Sequence, residues 1–254
     1  MRNRAFTVTL AVIVVCFTAL MSASGDMDQA GVQALLVRTD ANSMPEMFES
    51  DMVMRNYKPG GEVTSNETHV YRKGDKMLAV IKSPAIQKGQ AFLRNGDNMW
   101  MFLPKSKRVT RIGAKETSMG GEASNNDLLR VDLSKDYDAT YLGTETIDGA
   151  VCHKLDLKAK RRSFAYDHVV YWISVKEELP VKREYYSLSG QLLRTMSFKE
   201  VKSFGSRRIT SLIFIVNELN TGYRTEMEIK NMVTDVSLSD SMFTPAYLER
   251  GLLK

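Results

Sequence analysis

The chain has 254 residues, 43% of them hydrophobic and 26% charged, enough for one large globular domain or two small ones. Its formal charge of +5 falls far short of the dense positive field that nucleic-acid binding needs, and two cysteines exclude a disulfide framework.

Arg2 and Arg4 precede an apolar run from Leu10 to Met21, then Ser22, Ala23, Ser24 and Gly25, then Asp26. This is the charged, apolar and cleavage-site order of a secretory signal, and the run is short for a spanning helix, which wants about 20 apolar residues. Residues 1–25 are therefore read as a signal peptide and 26–254 as a single exported domain. Acylation at Cys16 would instead give a membrane-anchored lipoprotein, but Val15 stands where such a signal wants a small residue. Loss of 1–25 removes two arginines and no acid, leaving a charge of +3.

Residues 26–38 predict a helix capped by Asp26, with Gln29 three residues on and Val32, Leu35 and Leu36 in one apolar stripe. From 49 onward the pattern is that of strands: 49–57, 67–73 and 76–82, broken by Lys58-Pro59-Gly60-Gly61 and Gly74-Asp75. Residues 91–111 then read as a hairpin about Asn95-Gly96-Asp97 followed by a third strand. Its middle strand is apolar on both faces, with Met99, Met101 and Leu103 on one side and Trp100 and Phe102 on the other. Such a strand needs cover on both sides, or it lines something.

A long interruption, 113–135, separates this half from the next. Ser118, Met119, Gly120 and Gly121 read as flexible, and 125–133 as a short helix capped by Asn125 or Asn126, with Leu128, Leu129 and Leu133 apolar. A segment of this size inside a sheet protein is usually a lid, a plug or a functional insertion. Strands resume at 138–147 and 151–160, where Val151, His153, Leu155, Leu157 and Ala159 share one face and Cys152 the other. Val169, Tyr171, Ile173 and Val175 align in the next, and four further strands follow to 236.

About eleven antiparallel strands with few helices predict a mainly β fold in which right-handed twist rolls the sheet into a barrel around an apolar lumen. A helix or an apolar ligand would fill it. Met52, Met54, Met77, Met99, Met101, Met196 and Met227 fall in strands on faces that such a barrel turns inward, and methionine suits surfaces that accept several apolar shapes. With them, Ile81, Phe92, Leu103, Leu155, Leu157, Tyr171 and Ile173, and Leu128 and Leu129 of the short helix, are the candidate lining of a ligand cavity.

The sequence holds no nucleophile elbow, His-Glu-x-x-His, glycine-rich phosphate loop or cysteine-pair zinc spacing, so no catalytic residue, metal or cofactor is expected. His69, His153 and His168 fall on different strands. Two basic clusters, Lys105, Lys107, Arg108 and Arg111, and Lys158, Lys160, Arg161 and Arg162, read as solvated turns or as a docking patch for an anionic partner.

The segment 93–112, LRNGDNMWMFLPKSKRVTRI, resembles the strand-turn-strand segment of bacterial outer-membrane lipoprotein-sorting proteins, the LolA-like periplasmic carriers. The loop at Ser118-Met119-Gly120 leading to Asp127-Leu128, the stretch 172–194 around Leu179-Pro180, and Phe243-Thr244-Pro245 with Leu248 agree with it in order and spacing. The resemblance implies an incomplete antiparallel barrel of about eleven strands, covered by a helical lid whose moving part is 113–135. It also implies a periplasmic monomer that takes acyl chains of lipoproteins or other lipids, receives them from an inner-membrane exporter and passes them to an outer-membrane acceptor. Such carriers latch the lid with an arginine, for which Arg38 and Arg55 both offer themselves. The alternative on the same fold is an adaptor that senses lipid or lipoprotein and regulates a membrane partner.

Overall fold

The computed structural model describes residues 27–117, 121–129, 132–161 and 166–251; the expected signal peptide, 1–25, and the loop residues Ser118, Met119 and Gly120 lie outside them. The polypeptide forms helix α1 (Gln29–Ser43), then β1 (Met47–Tyr57), β2 (Val63–Lys73), β3 (Lys76–Ser83), β4 (Ala91–Asn95), β5 (Asn98–Leu103) and β6 (Arg108–Arg111). Two short helices follow, α2 (Asn125–Leu129) and α3 (Leu133–Asp136). The second run of strands is β7 (Tyr137–Ile147), β8 (Ala150–Ala159), β9 (His168–Ser174), β10 (Pro180–Tyr186), β11 (Leu192–Phe204), β12 (Arg207–Asn217) and β13 (Arg224–Val233). A 3-10 turn, Asp240–Phe243, and α4 (Pro245–Gly251) close the chain.

All thirteen strands join one sheet in the order β6-β5-β4-β3-β2-β1-β13-β12-β11-β10-β9-β8-β7. The chain enters at the middle, works outward by hairpins to the β6 edge, crosses to the β7 edge, and works back until β13 pairs with β1. The sheet is antiparallel and open: among the described residues β6 and β7 each pair on one side only. Residues 112–136 lie between those two edges in the chain, and the described helices α2 and α3 of this segment pack into the main core. Turn chemistry fixes the hairpins: Asp148 and Gly149, both at positive φ, make the two-residue β7–β8 loop.

The first helix starts two residues later than its sequence signal, because Asp28 rather than Asp26 accepts from the Gly31 amide. Its Val32, Leu35 and Leu36 are buried in the main core, which extends from Met99 on β5 to Ala139 on β7 and includes α2 and α3. Gln29 donates to the Ala139 carbonyl and Gln33 to that of Ser134, stitching α1 to β7 and α3.

A second core lies on the outer face of β3–β5. Leu78, Val80, Ala91, Leu93 and Phe102 pack there under Leu238, Phe243 and Leu248 of the C-terminal segment. That segment is tied down by Lys73 and Lys76 to Asp240 and by Asn95 Nδ2 to the Phe243 carbonyl. The strand that is apolar on both faces thus has cover on both: Met99 toward the main core, Phe102 toward the C-terminal helix. Val151 and Val175, expected inward, are 55% and 42% exposed: Val151 stands at the start of β8 and Val175 just past the end of β9.

Candidate functional site

A cavity of about 90 Å³ lies between the inner face of the sheet, α2, α3 and the end of α1. Phe48 and Met52 of β1, Val70 of β2, and Met77 and Ala79 of β3 form one wall. Met196 and Phe198 of β11, Ile213 of β12, and Met227 and Ile229 of β13 form another, and Leu128, Leu129 and Leu133 the roof. An engineered apolar cavity that holds a single benzene is about 150 Å³. An acyl chain therefore enters only if the roof or the side chains beneath it move.

Six of the sequence candidates meet at this cavity: Met52, Met77, Leu128, Leu129, Met196 and Met227. Met54, Ile81, Phe92, Met99, Leu155, Leu157, Tyr171 and Ile173 face the same core but are packed away from the free space, and Met101 packs against its edge. Leu103 is half-buried at the end of β5. Of the four loop residues only Gly121 is described. Its φ is +79°, and a Cβ there would overlap the Asn56 amide and lie 2.6 Å from Thr225 Oγ1. The next amide, Glu122 N–H, donates to Thr225 Oγ1 at 2.8 Å, and that hydroxyl donates to Asn56 Oδ1 at 2.8 Å. Glycine here lets the loop backbone sit directly on β1 and β13.

Three arginines hold the roof. Arg194 of β11 donates to Asp127 Oδ2 at 2.7 Å, Arg94 of β4 to the Leu129 carbonyl at 3.2 Å, and Arg72 of β2 to Asp132 Oδ1 at 2.8 Å. Arg72 and Arg94 each also place Nε on the glycine carbonyl of their own hairpin, Gly74 and Gly96, which fixes the guanidinium before it reaches the roof. Helix α2 is capped by Ser124, one residue before the expected asparagines: the Ser124 amide and hydroxyl donate to Asp127 Oδ2, and the Asp127 amide donates to Ser124 Oγ. Tyr166 Oη donates to the same carboxylate oxygen at 3.0 Å. The two arginines that the sequence offered as latches lie elsewhere. Arg38 pairs with Glu178 and Arg55 with Glu226 and Glu228.

A fourth arginine, Arg183 of β10, faces the cavity itself. Its Nη2 donates to Tyr171 Oη at 2.7 Å, and its guanidinium lies over the Tyr171 and Phe198 rings at 4.3 and 4.9 Å. Burial pushes the Tyr171 hydroxyl up to about 12, so it stays a neutral partner.

The histidines are dispersed: His69 binds Asp51, His153 contacts Tyr141 and His168 binds Asp156. Among the described residues no group of three or more His, Cys, Asp or Glu is placed to hold a metal, and no helix is long and apolar enough to cross a membrane. Lys105, Lys107, Arg108 and Arg111 of one basic cluster are exposed. So are Lys158, Lys160 and Arg161 of the other, where Arg161 reaches Asp97 and Arg162 lies outside the described residues.

A family model described as that of an uncharacterized protein matches residues 73–250. A LolA superfamily protein of Nitrosomonas europaea superposes with a TM-score of 0.77 at 27% identity, covering 85% of this chain and 98% of its own. The chain belongs to the LolA-like family. A DUF1329 family protein of Desulfovibrio piger matches this LolA-like chain with a TM-score of 0.78 at 25% identity, covering 87% and 98%. A Vibrio parahaemolyticus domain assigned to outer-membrane lipoprotein sorting shares the fold at 22% identity with a TM-score of 0.78, covering 88% and 100%. Among curated proteins none matches by sequence.

The arginines that hold the roof were not singled out by the sequence reading, although a signal for them exists. Arg72 continues the alternation through Thr68 and Val70, which places it inward, and cross-strand register lines up Arg72, Met77, Arg94 and Met99 in one row. In 180–186, the run Lys182-Arg183-Glu184 must turn one charge inward, since successive strand residues alternate faces.

Proposed function

We propose that this LolA-like protein is a periplasmic carrier, exported by its 1–25 segment, that binds the acyl chains of lipoproteins or other lipids in the cavity and moves them between the inner and outer membranes. The observation that carries the reading is the roof. A methionine- and leucine-lined space is covered by a segment that follows one open edge of the sheet and precedes the other, and that is held by polar ties, three of them from arginines, rather than by strand pairing. Ties of this kind are exchangeable, whereas closed β-pairing is not.

In this reading the roof swings out, an acyl chain replaces the side chains that fill the collapsed cavity, and burial stabilises it by about 0.8 kcal/mol per CH₂. Flexible methionines Met52, Met77, Met196 and Met227 adapt to the chain as they leave the space. Transfer then runs downhill in affinity from an exporter in the inner membrane to an acceptor in the outer one, with no bond made or broken. The test is native mass spectrometry with lipid extraction on protein purified from its own host's periplasm. Bound acylated peptide or lipid is the expected result; protein that is empty, and stays empty when offered lipoprotein and phospholipid, would overturn the proposal.

A further inference from the structure

Arg183 is a full charge placed where an acyl carrier needs none. It lies on the inner face, on the fourth strand from the β7 edge, with Met196 and Tyr171 as its cross-strand neighbours, and is 8% exposed. Nη2 has the Tyr171 hydroxyl and the Tyr185 hydroxyl also lies against the guanidinium, but Nε, buried and at the cavity wall, has no hydrogen-bond partner. Among the described residues no carboxylate pairs with it: Asp40 feels its charge, but binds the Ser134 amide instead. A buried guanidinium left in this state costs free energy, and the aromatic faces above and below it recover only part. The fatty tails of a lipoprotein end in methyl groups and offer it nothing.

We infer that Arg183 is the anion site of this cavity and that the occupant it is built for is a single acyl chain bearing a free carboxylate. The inference rests on the acyl-binding function proposed above and narrows it. A carboxylate matches the planar fork of a guanidinium and carries one charge. Arg183 is the only cation among the described lining residues, so a dianionic phosphate monoester would be left half compensated. Seated on Arg183, the carboxylate would direct its chain along the methionines Met196 and Met227 beneath the roof.

The test uses cis-parinaric acid and its methyl ester as fluorescent probes on the whole exported protein at neutral pH. The expected result is that the acid binds at least about tenfold more tightly than the ester, the worth of one charge-assisted hydrogen bond. Arg183→Met should bring the acid-to-ester affinity ratio to about one, and Arg183→Lys should recover part of the preference. Should the methionine variant not fold, the acid-to-ester ratio on the unmodified protein decides alone. Equal binding of acid and ester would overturn the anion site and leave the acyl cavity standing, whereas binding of neither would overturn both. Dodecyl phosphate displacing the probe tenfold better than dodecanoate would assign the site to a phosphate headgroup and overturn the carboxylate.

Discussion

Arg194 Nη1 lies 2.7 Å from Asp127 Oδ2, tying the roof helix α2 to a strand that comes 67 residues later in sequence. The Asp127 side chain is 1% exposed and its Oδ1 has no partner, so the charge depends on the groups gathered at Oδ2. Arg194→Leu removes the only cation among them. The expected loss is on the order of 3 kcal/mol, confined to the roof. It is read as amide exchange in 124–129 faster by about a hundredfold, with the sheet amides unchanged. Uniform acceleration across the molecule would show that Arg194 supports the fold as a whole.

Gly121→Ala tests the seat of the loop. An alanine at φ +79° meets about 1–3 kcal/mol of backbone strain, and its Cβ collides with Asn56 and Thr225. The loop should lift from β1 and β13, exposing the Glu122 amide to exchange and raising the rate at which an apolar fluorophore enters. A crystal structure of the variant with Glu122 N still on Thr225 Oγ1 would contradict this.

Phe243→Ala separates the two cores. Phe243 is fully buried on the outer face, so truncation should cost about 3–5 kcal/mol and lower the urea midpoint. Acyl-probe affinity of the folded variant should not change if the probe enters the cavity, which is on the other face of the sheet. A matching loss of affinity would place the binding surface under the C-terminal helix instead.

Asp40 gives a pH dependence of known sign. Burial holds its carboxyl above the usual aspartate value of 3.8, against the hydrogen bond from Ser134 N–H. The folded state therefore holds this proton more tightly than the unfolded one, and stability from this group is lost as pH rises from about 3.8 through the higher folded value. Asp40→Asn keeps an acceptor for Ser134 and does not titrate. Its melting temperature relative to the native protein should rise across that window and level off above it; a constant difference would show that Asp40 does not titrate above its usual range.

The strands, their order as hairpins and the long crossing segment were legible because alternation and turn residues are local signals. Gly74, Asn95-Gly96 and Asp148-Gly149 mark hairpins on their own. The openness of the sheet was implied only by the family resemblance, since whether β6 meets β7 depends on curvature summed over thirteen strands. The division of inward residues into cavity and core was out of reach for a similar reason. Met54 and Met52 differ by two positions and share a face, but only Met52 borders the free space. Period-two patterning assigns faces; depth under α1 and α2 decides the rest.

The most direct measurement is hydrogen exchange of the protein with and without a palmitoylated peptide. If the cavity under α2 and α3 takes the acyl chain, exchange must change in 121–136 and on β11 and β13, while 238–251 and the outer face of β3–β5 stay as they were. Saturating peptide that leaves 121–136 unaltered would contradict a roof that opens for lipid.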